Sequence, residues 1–424
     1  MTRPASLISE PRAGPRVAFF PDTYDEVDGV ANTARHFQAF CRRRELPMLM
    51  VCGGERSLVE RERNFTRLVL RRGPVAFPLD RRHNFDLAFW RHYRRAEAEV
   101  RSFHAEIVHI TGPSDVGQLG ALIAHQLKIP LAASWHTNLH EYAEERATAR
   151  LTWLPGWSKN HLGPTIRQVC LLALLRFYQT ASLLFAPNDE LVELLKQGTS
   201  RACYPMRRGV DTTLFDPRRR TRADERFVLG FVGRLTTEKN IRFLPDLEKA
   251  LERAGLKNVR FLVVGQGAER SWLESQMRHA DFTGVLHGER LAETYANMDV
   301  FVFPSRTDTY GNVVLEALAS GVPAIVTDSG GPRFIVRSGE TGFIAKDLDA
   351  FVEHVTMLRG RPELRQRMGR SARDYALTAT WDAVFESVYT RYDQWLRSWG
   401  LEKRAALGVE GIATTSSNSH QAIL

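Results

Sequence analysis

Cysteine and long apolar runs are both scarce in this sequence. No two of its four cysteines form a CxxC pair; they are Cys41, Cys52, Cys170 and Cys203. Scattered cysteines argue against a disulfide scaffold, so we predict free, buried thiols in a reducing compartment. The longest apolar run, residues 170–175, is too short to span a bilayer, and no apolar signal region precedes Val17. These absences predict a cytoplasmic protein, with peripheral contact on the inner face of the cytoplasmic membrane as an open alternative.

Acidic residues are outnumbered by basic ones. The 424 residues include 58 Lys and Arg against 49 Asp and Glu, a net charge of +9. A positive field favours an anionic substrate, a nucleic acid or an anionic membrane surface as partner. Because the arginines are dispersed and few aromatic residues lie between them, we do not expect nucleic-acid binding.

Strands alternate with helices along most of the chain. Apolar runs such as residues 16–20 (RVAFF), 107–110 (IVHI) and 227–232 (FVLGFV) end at turn residues and lead into segments with helical periodicity. This alternation predicts parallel sheets, and the chain is too long for one ordinary core. No GxGxxG follows the first strand, which argues against a dinucleotide site. We predict two α/β, Rossmann-like domains whose strand ends face a common cleft.

The domain boundaries follow from composition and turn residues. A segment with Pro and Gly, residues 204–217 (YPMRRGVDTTLFDP), marks the linker between the domains. The two ends of the chain are rich in small and polar residues, which is typical of disorder. We therefore predict a disordered N-terminus at 1–15, a first domain at 16–204, a second domain at 205–380 and a disordered tail at 401–424.

One segment, FVFPSRTDTYGNVVLEALASG, carries the strongest chemical pattern. A predicted strand ends at a polar loop that contains Asp308, and Gly311 then opens a helix. In such folds the first amides of a helix, here those of residues 311–314, receive phosphate oxygens. Asp308 and Glu316, eight positions apart, are then placed to bind a polyhydroxy ligand. The alternative is a helix-capping aspartate and a solvated glutamate.

Two cationic residues lie in the turn that follows the strand at 227–232. Arg234 and Lys239 are five positions apart, so both can reach one diphosphate, Arg as a bidentate fork and Lys as a point charge. Taken alone they would be an ordinary surface pair. A diphosphate next to carboxylates that bind hydroxyl groups describes a sugar nucleotide, which we predict as the substrate.

Two features of the first domain have both a structural and a functional interpretation. His136 follows a predicted strand and precedes polar residues, where a structural histidine and a ligand contact fit equally well. The mostly helical segment 151–185, with Trp153 and Trp157, is either packed on the sheet or rests on an anionic membrane. Clustered arginines would join such a membrane face, namely Arg42 to Arg44, Arg71 and Arg72, Arg81 and Arg82, and Arg94 and Arg95.

Together these motifs resemble the family 4 glycosyltransferases over residues 16–400. SRTDTYGNVVLEALASGVPAIVTDSGG resembles the family's E-x7-E region, FVGRLTTEKNI its GR-x4-K segment, RRGVDTTLFDP its linker and VVGQGAE its strand–glycine turn. PDTYDEVDGVANT is similar to the branch with bacterial lipid mannosyltransferases and sulfoquinovosyl-diacylglycerol synthases. Two residues depart from the pattern: Asp308 stands where Glu is usual, and Asp28 where that branch commonly has Asn.

The resemblance implies the GT-B fold, in which the last helix (381–400) crosses back onto the first domain. It also implies a retaining enzyme that moves a hexose from a nucleoside diphosphate to a lipid or glycan acceptor. Mannose from GDP-mannose is favoured as donor, and a UDP sugar remains open. Neither a metal nor a cofactor is expected.

Residue roles follow from the same resemblance. Arg234 and Lys239 would neutralise the leaving diphosphate. Asp308 would hold the 3- and 4-hydroxyls of the donor sugar, and His136 would contact its 6-position. Glu316 would bind the ribose and the loop at Gly29 would approach the diphosphate, so that the donor-binding set is Gly29, Glu316, Gly311, Asn312, Val313 and Val314.

Alternatives to a transferase remain at this point. An epimerase or a phosphorylase could use the same fold, although no lysine motif for pyridoxal phosphate is apparent. A non-catalytic protein that binds anionic surfaces would explain the net charge alone.

Overall fold

The structure is a computed structural model that describes residues 14–25, 29–73, 76–78, 84–139 and 156–406. Within these ranges the chain forms two parallel-sheet units, as predicted from the alternation of strands and helices. Some sequence predictions lie outside the described residues: those for Asp28, Trp153, Arg81, Arg82, the side chain of Trp157, residues 1–13 and residues 407–424.

The first sheet has the strand order β10-β9-β8-β7-β1-β2-β4-β3, and all its neighbours are parallel except β3 and β4. A separate antiparallel hairpin is formed by β5 and β6. The strands are β1 (Val17–Phe20), β2 (Met48–Gly54), β3 (Leu58–Arg61), β4 (Phe65–Arg71), β5 (Ala76–Pro78), β6 (Asn84–Asp86), β7 (Ile107–Ile110), β8 (Leu131–Ser134), β9 (Leu183–Ala186) and β10 (Cys203–Pro205). The helices are α1 (Gly29–Arg43), α2 (Tyr93–Ser102), α3 (Asp115–Leu127), α4 (Gly156–Tyr178) and α5 (Asp189–Thr199).

The second sheet is parallel throughout, with the order β13-β12-β11-β14-β15-β16. Its strands are β11 (Phe227–Val232), β12 (Val259–Val264), β13 (Ala280–Gly284), β14 (Val300–Phe303), β15 (Ala324–Thr327) and β16 (Gly342–Ala345). The helices that follow are α6 (Phe243–Arg253), α7 (Arg270–Gln276), α8 (Gly288–Ala296), α9 (Asn312–Ala319), α10 (Leu348–Gly360), α11 (Pro362–Thr378) and α12 (Trp381–Ala406).

Each sheet has a point at which its strand order reverses. In the first sheet the reversal lies between β1 and β7, and in the second it lies between β11 and β14. Loops at such a point leave the sheet in opposite directions and open a crevice at the carboxyl ends of the strands. The loops after β11 and β14 therefore form the natural ligand site of the second unit.

Helix α12 packs on the first sheet, as the resemblance implied. Successive residues of β1 alternate between two cores: Ala18 and Phe20 face α2 to α5, whereas Val17 and Phe19 face α1 and α12. Aromatic residues of α12 fill the second of these cores, with the ring of Phe385 stacked on that of α1 residue Phe37 at 4.5 Å between centroids. Burial of such rings binds the C-terminal helix to the N-terminal sheet.

Several parts of the chain differ from the sequence-based expectation. A short strand was expected at residues 285–288, but the strand is β13 and Gly288 begins α8. Burial in this edge strand alternates weakly and its sequence, ADFTG, is polar, so the apolar pattern that marks inner strands is missing. Strands β3 to β6, β10 and β16 and helices α2, α7, α10 and α11 were also not anticipated. Helix α12 continues to Ala406, into the tail that was predicted to be disordered from residue 401.

The cysteines and the described helices can be compared with the predictions made from composition. All four cysteines are free; three are buried and Cys170 is half-buried. Each helix in the described ranges is too short or too polar to act as a membrane span.

Candidate active site

The loops after β11 and β14 meet through an ion pair. Lys239 Nζ donates a hydrogen bond to Oδ1 of Asp308, and the two side chains are only 14% and 19% exposed. The second oxygen of Asp308, Oδ2, is buried and makes no hydrogen bond to the described part of the protein. Buried polar atoms are nearly always bonded, so this oxygen has acceptor capacity that the described part of the protein leaves unused.

Arg234 lies on the same turn as Lys239 but faces another way. Its guanidinium donates to Oε1 of Glu238, and its side chain is 44% exposed. The structure thus brings Lys239 and Asp308 together and leaves Arg234 outside this pair. A surface arginine of this kind retains the rotamer freedom to turn toward a bound phosphate.

Glycines allow the loops after β11 and β14 to pack closely against neighbouring backbone. A Cβ at Gly265, in the turn after β12, would lie 1.8 Å from the carbonyl oxygen of Gly233. A Cβ at Gly331 would lie 2.1 Å from the carbonyl oxygen of Thr309, and its amide donates to the Asp308 carbonyl at 2.6 Å. Because only glycine permits such close backbone approach, the glycine turns noted in the sequence support the loops behind the site.

Helix α9 begins directly after the Asp308 loop. Gly311 precedes it with φ of 97°, a conformation that favours glycine. Of the amides predicted to hold phosphate, that of Val314 donates to the Gly311 carbonyl at 2.9 Å. The amides of Asn312 and Val313 belong to the first turn, which has no intrahelical acceptors.

Glu316 lies one turn into α9 and is half-buried. Its Oε2 accepts a hydrogen bond of 2.8 Å from the hydroxyl of Tyr295, the penultimate residue of α8. Burial raises the pKa of Glu316 to about 7, and the bond from Tyr295 lowers it in part. The pKa of Tyr295 lies well above its usual value because the phenol is buried, so Tyr295 remains the donor.

His136 follows β8 on the first-domain side, and both of its ring nitrogens contact protein groups. Nδ1 lies 2.6 Å from Nη2 of Arg208, and Nε2 lies 2.6 Å from Oγ of Ser134. Burial, together with the charges of Arg208 and His109, lowers the pKa of His136 well below its usual value. The ring is therefore neutral and, in this conformation, occupied on both sides.

The His136 loop touches the loop of the second domain that contains Asp308, Thr309 and Tyr310 through main-chain groups; we call the latter the donor loop, after the predicted donor substrate. Its carbonyl accepts from Oγ1 of Thr309 at 3.1 Å, and the Thr309 carbonyl accepts from Nδ2 of Asn188 at 2.9 Å. The hydroxyl of Tyr310 donates to the Arg208 carbonyl at 3.3 Å. These contacts were not predicted, since Asn188 and Arg208 carry no local signal beyond their place at a strand end and in the linker.

Gly29 begins α1 on the same side of the molecule. It is exposed, and a Cβ built at this residue meets no described atom within 4 Å. Its carbonyl accepts from Oγ1 of Thr33 at 2.7 Å.

No group of three His, Cys, Asp or Glu side chains in the described ranges is arranged to hold a metal ion. Whether the reaction needs a metal stays a prediction for the activity assay described below.

Comparison with known proteins identifies the family. A family model described as Glycosyltransferase Family 4 matches residues 27–214, and one described as Glycosyl transferases group 1 matches residues 226–359. The GDP-mannose-dependent alpha-mannosyltransferase of Mycobacterium tuberculosis (strain CDC 1551 / Oshkosh) is 33% identical over 311 residues, covering 69% of this chain and 74% of the relative. The chain belongs to the family 4 glycosyltransferases.

Further relatives agree with this assignment. Sulfoquinovosyl transferase SQD2 of Arabidopsis thaliana is 28% identical, covering 95% of this glycosyltransferase and 77% of the relative. Among solved structures, sucrose-phosphate synthase of Thermosynechococcus elongatus superposes with a TM-score of 0.68 at 18% identity, covering 91% of this chain and all of that one. At that identity the likeness concerns the fold, and the predicted GT-B architecture is confirmed. None of these relatives supports an epimerase or a non-catalytic binding protein.

Proposed function

We propose that this glycosyltransferase moves mannose from GDP-mannose to a lipid or glycan acceptor and retains the anomeric configuration. The observation that carries the proposal is the pair of Lys239 and Asp308 at the strand-order reversal of the second sheet. It places a cation for a phosphate beside a carboxylate that has one oxygen free for a sugar hydroxyl. The named mannosyltransferase relative supports mannose over other hexoses.

Each donor group has a counterpart in the second domain. Lys239, with Arg234 after a rotamer change, neutralises the diphosphate, and the first amides of α9 bind its oxygens. Asp308 accepts from the 3- and 4-hydroxyls of the sugar through Oδ2. Glu316, fixed by Tyr295, accepts from the ribose hydroxyls when its carboxyl is ionised.

The transfer proceeds without a covalent intermediate on the enzyme, and the products account for every atom of the donor and the acceptor. The bond between the anomeric carbon and the diphosphate oxygen breaks while the acceptor oxygen bonds to the same face of that carbon. The acceptor proton passes to the departing phosphate oxygen, so the products are the mannoside and protonated GDP. Lys239 stabilises the negative charge that develops on the phosphate. His136 supplies no base here, because both ring nitrogens are engaged.

One layer of helices in the first domain supports the proposal that the acceptor is bound to a membrane. Helices α2 to α5 cover the same face of the sheet. Large apolar side chains are exposed on this layer or beside it, namely Leu87, Trp90, Val169 and Leu172, at 57% to 71%. Arg94 and Arg95 on α2 are exposed as well. We propose that this layer docks on an anionic membrane, since arginines and interfacial aromatic residues favour such a surface.

The arginines do not all lie on that layer, contrary to the simplest form of the sequence hypothesis. Arg42 and Arg43 end α1 on the opposite face of the sheet, and Arg44 follows them. Each pairs with a carboxylate: Glu62, Asp382 and Glu386 respectively. Arg72 is paired with the buried Asp115. Paired charges contribute little to attraction for a membrane, so fewer arginines take part in docking than the sequence hypothesis proposed.

A donor screen tests the proposed reaction. Release of nucleoside diphosphate is measured from GDP-mannose, UDP-glucose and UDP-galactose, with lipid extracts as acceptors, and the anomeric proton of the product is assigned by NMR. We expect release from GDP-mannose and an α-linked product. Turnover of UDP sugars alone, or a β-linked product, would contradict the proposal.

A variant of Asp308 tests the sugar contact. Asp308→Asn keeps the shape of the side chain but removes its charge, and we expect kcat/KM for GDP-mannose to fall about 10- to 100-fold. The variant should also lose discrimination against a donor that lacks the 4-hydroxyl. If the variant and the native enzyme discriminate equally, Asp308 does not contact that hydroxyl.

Vesicle binding tests the docking layer. Co-sedimentation with anionic vesicles at low salt should be strong, and weaker with neutral vesicles. Trp90→Ser with Leu172→Ser should reduce it, whereas Arg43→Gln with Arg44→Gln, on the opposite face, should not. Equal effects of the two double variants would exclude this layer as the contact.

A further inference from the structure

A chain of buried hydrogen bonds crosses the first sheet from α12 to the His136 loop. Tyr392 on α12 contacts Nδ1 of His109 on β7. Nε2 of His109 lies 2.9 Å from Oγ of Ser134 on β8, which lies 2.6 Å from Nε2 of His136. The chain ends at Arg208 in the linker, and all five residues are at most 6% exposed.

The chemistry of Arg208 sets the position of the proton on His136. A guanidinium only donates, so Nδ1 of His136 is an acceptor and its proton lies on Nε2. Nε2 then donates to the Ser134 hydroxyl, which also bonds to Nε2 of His109. Burial lowers the pKa of His109 to about 3, so both histidines are neutral.

Arg208 also contacts two other parts of the cleft. Its Nη1 donates to Oγ1 of Thr33 at 2.9 Å, and Thr33 in turn donates to the Gly29 carbonyl. Its own carbonyl accepts from the hydroxyl of Tyr310 in the donor loop. One linker residue thus joins the start of α1, the His136 loop and the second domain.

We propose that Arg208 is a positioning residue for hexosyl transfer. It selects the neutral tautomer of His136 that has the proton on Nε2, and it holds the His136 loop and the Gly29 end of α1 in place against the donor loop.

The contacts of His136 explain how Arg208 would affect turnover. The His136 carbonyl accepts from Thr309, the neighbour of Asp308. A shift of the His136 loop therefore moves the carboxylate that we assign to the donor sugar. Displacements of about 1 Å at a reacting centre cost on the order of 100-fold in rate, which is the scale expected here.

The linker supplies a matched pair of arginines for the test. Arg207 precedes Arg208, but its side chain is 44% exposed and pairs with Asp189 at 3.2 Å. Arg208→Met and Arg207→Met remove the same functional group from adjacent residues, one inside and one outside the chain of hydrogen bonds. Arg208→Lys keeps a cationic donor in the buried position.

Two measurements are made on each full-length variant. Steady-state kinetics gives kcat and KM with whichever nucleotide sugar the donor screen identifies, so an error in the GDP-mannose assignment leaves this test intact. The 15N NMR spectrum of histidine-labelled protein shows which imidazole nitrogen of His136 carries the proton, with the signal assigned by its loss in His136→Gln.

We expect Arg208→Met to lower kcat about 10- to 100-fold and to release His136 from its single tautomer. Arg207→Met should retain kcat within about twofold and the native spectrum. Arg208→Lys should keep the tautomer and recover most of the lost kcat. A folded Arg208→Met protein with native kcat, or with an unchanged His136 tautomer, would overturn the proposal.

Ser134→Ala provides a second route if Arg208→Met does not fold. This variant removes the acceptor for Nε2 of His136 but leaves Arg208 in place, so the tautomer should persist. Loss of the tautomer in Ser134→Ala would assign the selection to Ser134 and overturn the role of Arg208.

Discussion

The two sides of the cleft are built differently although both lie at the ends of parallel strands. On the second-domain side, Lys239, Asp308 and Glu316 are charged or titrate near neutral pH, and Asp308 has an unbonded oxygen. On the first-domain side, the polar groups of His136 and Arg208 bond to one another and are buried. A side with open bonding positions is suited to recognise a ligand, whereas a side with satisfied ones holds a geometry.

The largest expected effect lies on the charged side. Lys239→Ala and Arg234→Ala should each lower kcat/KM by about 100- to 1,000-fold, or about 2.7–4 kcal/mol, because each removes a cation from the developing phosphate charge. The variants should fold, and Arg242→Ala, which breaks an exposed pair with Glu269, serves as the control. Native kcat/KM in either cleft variant would remove that cation from the mechanism.

A pair of glycine substitutions compares the rigidity of the two sides. Gly331→Ala places a Cβ 2.1 Å from the Thr309 carbonyl oxygen, so we expect a loss of about 1–3 kcal/mol in the free energy of unfolding. Gly29→Ala meets no described atom within 4 Å, and its unfolding should be nearly unchanged. Thermal denaturation of both variants measures the difference. Equal melting temperatures of the two variants would show that the donor loop accommodates the added Cβ at residue 331 without loss of stability.

Glu316 should make donor binding depend on pH. With a pKa of about 7, its carboxyl is largely ionised at pH 8 and largely protonated at pH 6. We expect KM for the donor to rise about tenfold as pH falls between these values, since only the carboxylate accepts from both ribose hydroxyls. Glu316→Gln should bind more weakly and show no such slope.

The Glu316 carboxyl also makes the stability of the protein depend on pH. Stability should fall as pH rises, whereas donor binding should become tighter. Between its ordinary pKa of 4.5 and about 7, the folded state holds a proton that the unfolded state releases. The free energy of unfolding of the unliganded enzyme should therefore fall as pH rises through this window. If Glu316→Gln shows the same decline, another group is responsible.

The smallest effect is expected for metal removal. We assign to Lys239 and Arg234 the role that a divalent cation would have at the diphosphate, so activity should persist in EDTA. Loss of activity that magnesium or manganese restores would assign that role to a metal.

Much of the charged side could be predicted because its signals are local. A strand that ends in Gly233 and Arg234, and another that ends before Asp308, are legible from apolar runs and turn residues. Parallel strands then bring their carboxyl ends to one edge, so residues 69 positions apart meet as Lys239 and Asp308 do. The edge strand β13 was misplaced because it lacks the apolar run that marks inner strands.

The hydrogen-bond partners of His136 on the bonded side could not be predicted from the sequence. His109 and Tyr392 are 283 positions apart, and their contact exists because α12 returns to pack on the first sheet. Nothing in the local sequence distinguishes Arg208 from Arg207, although one is buried and the other exposed. Strand ends and their charged loops follow from short-range periodicity, whereas the partners of a buried polar group depend on which distant elements enclose it.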